Sequence, residues 1–469
     1  MRRRQALLGV VGLIVVPTVV SGQVVVEQYE HVPGLLRIGP EPERAIELTD
    51  KGHTLILPEG AEPVGITVFF DGWRVAVSEG MPPAGTFDHE ALTRRVGILR
   101  LTTGNPLDFY FDDATLLAVA DRIQGVLHSR GLEGLPLYFA GLSLGGTRAL
   151  KLAVFLRQHR GDFWIAPSAV AVVDAPLDMV RLWRAEQRAI RRDFHPTAAD
   201  EGRWVSYLLE TNLGGSPDEQ FDRYVQHSPF VYSAPSGRGG NAVHLRDVPL
   251  RAYHEPDVDW WIRNRRKDYY GMNSIDLAAL VNELRLQGNE RAELKTSHRA
   301  REGVNEGSSP HTWSFVDNAD LVEWFLAQPT AGADIRLVTP EVRAACETIG
   351  ALVGEVTGWD TERFDGTVLD EPSRRWRPAC RVVASGPTAS IDEARNPGDR
   401  IRSRLAASGW LEDFRYAADG PGTSAYAFRS SGSLCVFRVS APSYLSEDGE
   451  IVVAERYDVK AGCFGIPKE

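Results

Sequence analysis

Gly141-Leu142-Ser143-Leu144-Gly145 is the stretch of this 469-residue chain whose residue types and spacing speak most directly of chemistry. It follows a short apolar run, Leu137-Tyr138-Phe139-Ala140, and opens a helix-like stretch over residues 147–156. A serine flanked by glycines on a strand-to-helix turn is held in a strained conformation, with its hydroxyl exposed above a sheet. Glycine is needed at the flanks because side chains there would collide with the neighbouring strand and helix. The helix that follows aims its first N–H groups at any oxyanion formed beside the serine. Ser143 is therefore a candidate nucleophile; the competing reading is an inert Gly/Ser turn.

A serine hydroxyl becomes a good nucleophile once a general base takes its proton, and that base needs a third group to orient it. His311, in Ser309-Pro310-His311-Thr312-Trp313, directly precedes a closing helix and is the preferred base, with His298 as its rival. The acid is expected from His254-Glu255-Pro256-Asp257-Val258-Asp259, after a strand that ends at Tyr253. Asp257 is the first choice, Asp259 the second and Glu255 the third; Asp174, on the preceding strand end, is a geometric outsider. Any of these carboxylates could instead cap a helix or pair with Arg263, Arg265 or Arg266. The oxyanion donors are expected to be the Leu144 backbone N–H and that of Gly72 or Trp73, in a turn that otherwise reads as plain.

Such groups need a scaffold that brings strand ends together. From Thr54 onward apolar runs alternate with helical patterns, which predicts a mostly parallel sheet with crossover helices. Strands are read over residues 65–70, 96–102, 137–140, 169–173, 248–253 and 292–297, with helices over 114–129 and 319–326. Residues 175–247 break the rhythm with helical patterns near 179–192 and 203–210. Inserted between consecutive strands, this segment would cover the sheet edge where ligands bind, as a cap. A boundary is placed at 328–333, with a hydrolase-type domain over 23–328 and a small α+β domain over 335–469.

Residues from about 65 to 326 resemble the α/β-hydrolase superfamily: the elbow, the strand-end acid, the histidine before the last helix and the cap come in its order. The resemblance spans just over half of the chain. It implies an α/β-hydrolase fold and a serine hydrolase mechanism, with Ser143, Asp257 and His311 in the usual roles. The chain has Asp71-Gly72 where a His-Gly would precede the oxyanion loop, and its acid motif is His-Glu-Pro-Asp.

The remaining signals are compositional. The formal net charge of −11 argues against general nucleic-acid binding, which favours basic patches. Met1-Arg2-Arg3-Arg4, an apolar run over residues 6–20 and small residues at 21–22 have the shape of a cleavable secretory signal. An uncleaved anchor is the alternative, although Pro17 breaks a run already short for a span. Export to the periplasm or outside the cell suits the four cysteines, Cys346, Cys380, Cys435 and Cys463, which suggest two disulfides. Of the three pairings, Cys346 with Cys380 and Cys435 with Cys463 is preferred. No metal-site or nucleotide-loop pattern occurs, so neither a metal nor another cofactor is expected. Arg181, Arg184, Arg188 and Arg192 share one helix face, which would suit an anionic substrate if it lined the cleft and is otherwise a solvated surface. The reading is an exported serine hydrolase of a small-molecule or short-peptide ester or amide. A secreted peptidase of the same fold and an inactive hydrolase-fold binding protein are the alternatives.

Overall fold

The computed structural model describes residues 18–20, 23–77, 80–159, 163–297, 309–330, 338–370, 372, 375–387, 396–420, 423–430, 432–440, 443–445, 451–453 and 456–466. The expected leader, residues 1–22, lies outside them apart from the backbone of Thr18–Val20. The chain divides into two compact units. The first takes in the chain up to Val119, Gly134–Gln158 and Pro167–Ala331; the second takes in Ala120–Glu133, His159–Ala166 and Gly332–Glu469.

In chain order the strands of the first unit are β1 (Thr18–Val20), β2 (Gln23–His31), β3 (Leu35–Arg37), β4 (Ala45–Glu47), β5 (Asp50–Pro58), β6 (Gly65–Phe70), β7 (Val96–Thr103), β8 (Leu137–Leu142), β9 (Pro167–Val173), β10 (Leu250–His254) and β11 (Ala292–Thr296). Among the described residues β3 and β4 pair only with each other, and the other nine form one sheet in the order β1-β2-β5-β7-β6-β8-β9-β10-β11. From β7 through β11 the neighbours run parallel. β1, β2 and β5 make an antiparallel edge that the sequence reading did not include. Its β2 runs from three consecutive valines, Val24 to Val26, into Glu27, Gln28, Tyr29 and Glu30, so it lacks the continuous apolar run of an inner strand. β6 and β9 have that run: every residue of Gly-Ile-Thr-Val-Phe-Phe and of Pro-Ser-Ala-Val-Ala-Val-Val is buried, as expected of strands covered on both faces.

The helices that cover or follow this sheet are α1 (Phe87–Thr93), α2 (Asp113–Ser129), α3 (Leu144–Gln158), α4 (Met179–Arg192), α5 (Pro196–Leu213), α6 (Phe221–His227), α7 (Val258–Arg265), α8 (Ser274–Leu286) and α9 (Asn318–Leu326). α4, α5 and α6 are the helices of the insertion between β9 and β10, and they bury Met179, Leu209, Leu213 and Tyr224 among themselves. Arg148, on α3, is 2% exposed. Its guanidinium donates to the carbonyls of Asp108 (2.6 Å), Pro106 (2.8 Å) and Phe70 (3.3 Å) and lies over the Tyr110 ring. Burial lowers its pKa, and the three carbonyls offset part of its desolvation. One side chain thereby ties the chain leaving β6 and the chain leaving β7 to the helix that follows β8.

The second unit contains α10 (Pro340–Thr357), β12 (Thr361–Asp370), β13 (Arg375–Pro387), α11 (Pro397–Ala407), β14 (Leu411–Glu412), β15 (Ala418–Gly420), β16 (Thr423–Ser430), β17 (Ser433–Ser440), β18 (Ser443–Leu445), β19 (Ile451–Val453) and β20 (Arg456–Gly465). Its seven-stranded antiparallel sheet runs β12-β13-β20-β17-β16-β14, with β15 beside β16, and β18 pairs with β19. α10 and α11 place Ile349, Val353, Ile401 and Leu405 in a core with Phe428, Phe437 and Val459. Disulfides join Cys346 to Cys380 and Cys435 to Cys463. The first ties α10 to β13, and the second joins directly opposed residues of β17 and β20. Among the described residues no helix is long and apolar enough to cross a membrane.

Candidate active site

Ser143 occupies the single position between β8 and α3, with φ 55° in the left-handed region that L-residues enter at a cost. Its N–H donates to the Val173 carbonyl (2.8 Å), continuing the β8–β9 ladder by one residue, and its own carbonyl accepts from Gly146 and Thr147. Chain, strand and helix therefore change direction at this residue. Glycine is required on both sides by close approach: a Cβ on Gly141 would lie 2.2 Å from the Gly145 carbonyl carbon, and one on Gly145 would lie 3.0 Å from the Phe70 carbonyl oxygen. The second contact brings the chain leaving β6 against the elbow.

His311 lies on the loop before α9. Its N–H donates to Ser309 Oγ (3.1 Å), and two residues on Trp313 packs edge-on against Phe69 and Phe87 while its indole N–H donates to Asn318. The ring's Nδ1 is 2.6 Å from Asp174 Oδ2. Burial works against the imidazolium, but the Asp174 hydrogen bond and charge outweigh it and leave the His311 pKa above its ordinary value. Glu201 raises it further and Lys267 opposes.

The carboxylate at His311 is thus Asp174, the outsider, and not Asp257. Asp257 stands immediately before α7, where its side chain accepts from the Trp260 N–H (2.8 Å) as the helix N-cap. That local bond satisfies an orphan helix donor and fixes the carboxylate at its own helix. Asp259 sits in the first turn of the same helix. The rival base, His298, lies outside the described residues.

Asp174 follows the last residue of β9, and its neighbours across the sheet explain its placement. The Ser143 N–H bonds the residue just before it, so Ser143 and Asp174 leave adjacent parallel strand ends. Its own N–H donates to the Tyr253 carbonyl and its carbonyl accepts from Asn273 Nδ2 (3.0 Å), at φ 40°. Asn273 in turn accepts from Arg181, and Arg181 forms a buried ion pair with Asp276. Asp276 also accepts from the N–H groups of Leu177 and Asp178. The strand end is held by polar groups on both α4 and α8. A sequence signal for it existed: Asp174 ends an apolar strand with no helix starting next to it, whereas Asp257 directly precedes one.

The residues expected to donate to an oxyanion lie at the start of α3 and just after β6. Leu144 is the first residue of α3. Gly72 follows β6, where its carbonyl accepts from Thr49 and Thr102 and a Cβ would lie 2.9 Å from the Pro106 carbonyl oxygen. Trp73 beside it is 60% exposed. Asp71, at the strand end, pairs with Arg100, and burial raises its carboxyl pKa against that cation. Among the described residues no group of three or more His, Cys, Asp or Glu side chains could hold a metal ion.

No family model and no curated protein matches the sequence. Among solved structures the chain is similar to an acylaminoacyl peptidase of Pyrococcus horikoshii, at 12% identity over 67% of this chain and 49% of that one, with TM-score 0.36. It is similar to a mutant of the esterase E40, at 16% identity over 64% and 84% of the two chains, TM-score 0.36. The carboxyl esterase 2 of the fungus Tuber melanosporum gives 13% identity over 64% and 87%, TM-score 0.37. The chain spans about half the length of the peptidase it matches. On its own sheet order, its left-handed serine between β8 and α3, and the aspartate and histidine joined at the neighbouring strand end, the chain has the α/β-hydrolase fold.

Proposed function

We propose that this chain is a serine hydrolase that cleaves a carboxylic ester or amide through an acyl-enzyme. The observation that carries the reading is the hydrogen-bonded Asp174–His311 pair one strand away from a serine held at an elbow. As Ser143 Oγ attacks the substrate carbonyl carbon, His311 Nε2 takes its proton, and Asp174 on Nδ1 stabilises the imidazolium. The oxyanion of the tetrahedral intermediate accepts from the N–H groups of Leu144 and of Gly72 or Trp73. Collapse breaks the bond to the leaving alcohol or amine, which takes the proton from His311 and leaves the acyl group on Ser143. Water activated by the same histidine then releases the acid and restores the serine. The substrate is a small ester or amide, or a short peptide, reached beneath the helical insertion. An exported protein is the location we infer, supported by the charged and apolar start of the chain and by the two disulfides.

Labelling with a fluorophosphonate, read by mass spectrometry, tests the reading. Wild-type protein is expected to take the adduct on Ser143, Ser143→Ala to take none, and His311→Ala and Asp174→Asn to react far more slowly. Undiminished labelling of folded Ser143→Ala overturns it, as does a folded wild type that neither labels nor hydrolyses any ester or amide in a broad panel.

A further inference from the structure

The arginine face of α4 is absorbed by neither the hydrolytic site nor plain solvent. Arg181, Arg184, Arg188 and Arg192 all line one wall of a cavity of about 1130 Å³, and Arg265, Arg266 and Lys267 line another. Seven cationic side chains line this space beside four carboxylates, Asp178, Asp268, Asp276 and Glu283, on a chain whose formal net charge is −11; carboxylates outside the lining pair with two of the cations, Asp218 with Arg184, and Glu186 and Glu201 with Lys267. The internal pairing leaves cations over. Arg188 (2.7 Å) and Arg192 (3.6 Å) share the single carboxylate of Asp268. Among the described residues neither Arg265 nor Arg266 has a carboxylate partner; Arg265 donates to the Asn264 carbonyl and lies over the Trp260 ring. Arg266 sits at φ 53°, the left-handed residue that ends α7 and turns the chain along the cavity wall.

Apart from His195, Ser233 and Asn282, the rest of the lining is apolar or glycine. Ala185, Ala189, Ala278 and Ala279 leave the space open between α4 and α8. Phe194, Tyr232, Tyr270 and Leu286 also line it, and all four are more than two-thirds exposed. Large apolar side chains left in water around one concave, cation-rich space fit a ligand with both characters. Guanidinium groups recognise carboxylate and phosphate through paired, charge-assisted hydrogen bonds. Neither Ser143, Asp174 nor His311 lines this cavity.

We propose that the cavity between α4 and α8 binds an amphiphilic organic anion, its carboxylate or phosphate head held by Arg188, Arg192, Arg265 and Arg266 and its apolar body against Phe194, Tyr232, Tyr270 and Leu286. The site is independent of the hydrolytic reading, so its test uses protein that cannot turn over. Calorimetric titration of the folded full chain carrying Ser143→Ala compares octanoate and octyl phosphate with octanol and inorganic phosphate. The anionic amphiphiles are expected to bind with an affinity that falls as salt rises, and Arg265→Gln/Arg266→Gln is expected to weaken them at least about tenfold, the scale of a lost charged hydrogen bond. Octanol or inorganic phosphate binding as well as octanoate overturns the proposal, as does a folded double variant that binds unchanged, or no binding of either anionic amphiphile. Ala279→Trp, which fills the space and leaves every charge in place, is expected to abolish binding; retained binding by that folded variant also overturns the site. Failure of these titrations leaves fluorophosphonate labelling of wild-type protein untouched, so the two readings fall separately.

Discussion

Asp174 Oδ2 and His311 Nδ1 are 2.6 Å apart, although the two residues are 137 positions apart in sequence. A neutral His311 that donates Nδ1–H to this carboxylate carries no proton on Nε2, which is the tautomer a general base needs. Asp174→Asn is expected to lower kcat on the order of 10³–10⁴-fold, because the amide favours the wrong tautomer and cannot stabilise an imidazolium. Asp257→Asn is expected to leave kcat within about twofold and to cost at most ~1 kcal/mol of stability, since asparagine caps helices nearly as well. Steady-state kinetics of the two variants, each with its melting curve, separates the two aspartates. Equal loss from both would return Asp257 to the site.

The pH dependence follows from the same pair. The His311 pKa is raised by Asp174, so activity is expected to fall on the acid side through a value above the ordinary imidazole range. Asp174→Asn is expected to move that limb to lower pH. The stability effect has the opposite sense: the protonated histidine contributes stability that is complete below its unfolded pKa and is lost as pH rises through the folded one. A kcat/KM profile beside a urea-denaturation series across pH reads both.

Lys151 is a liability inside the elbow helix. It is buried, its ammonium lies 5.0 Å from the Phe111 ring centroid, and its nitrogen has no hydrogen-bond partner among the described residues. Burial pushes its pKa down to about 7, against the nearby carboxylates of Asp108, Asp112 and Asp113. Between about 7 and its unfolded value of 10.5 the unfolded chain holds the extra proton, so stability declines as pH falls across that window and levels below it. Lys151→Met is expected to raise stability at neutral pH by ~2–4 kcal/mol and to flatten that slope. Chemical denaturation at several pH values from neutral to alkaline checks it.

Both disulfides lie in the second unit, closing spans of 34 and 28 residues. Loop-closure entropy for spans of that length is worth about 3–4 kcal/mol each. Reduction is therefore expected to lower the melting transition of the second unit while the first keeps its own. Calorimetry with and without reductant, paired with fluorophosphonate labelling as a readout of the first unit, shows which transition moves. Equal loss of both would mean that the units do not melt separately.

Arg148→Met is expected to cost about 2–5 kcal/mol, because it strands buried carbonyls at Phe70, Pro106 and Asp108. In variants that remain folded, labelling at Ser143 is expected to slow as well, since the loop after β6 loses its tie to α3. Unchanged labelling in a folded variant would mean that the loop holds its place without the arginine.

What the chain determined locally was legible in its residues. The elbow could be read because its glycines answer to contacts within five residues and one adjacent strand, and a left-handed serine between an apolar run and a helix leaves that pattern in any fold. The inner strands could be read because burial on both faces demands unbroken apolar runs, as in β6 and β9. The antiparallel edge could not, because β2 is wetter and its identity as a strand comes from nine residues of pairing with β5. Which carboxylate meets His311 was decided by tertiary structure alone. Asp257 and Asp174 both follow strands, but one carboxylate is captured three residues away by its own helix, while the other is aimed by Tyr253, Asn273 and the loop that carries His311. The α4 arginines show the same division. Their shared face is a matter of helical period, but whether that face meets water or a cavity depends on α8 and on the turn at Arg266, which no local pattern encodes.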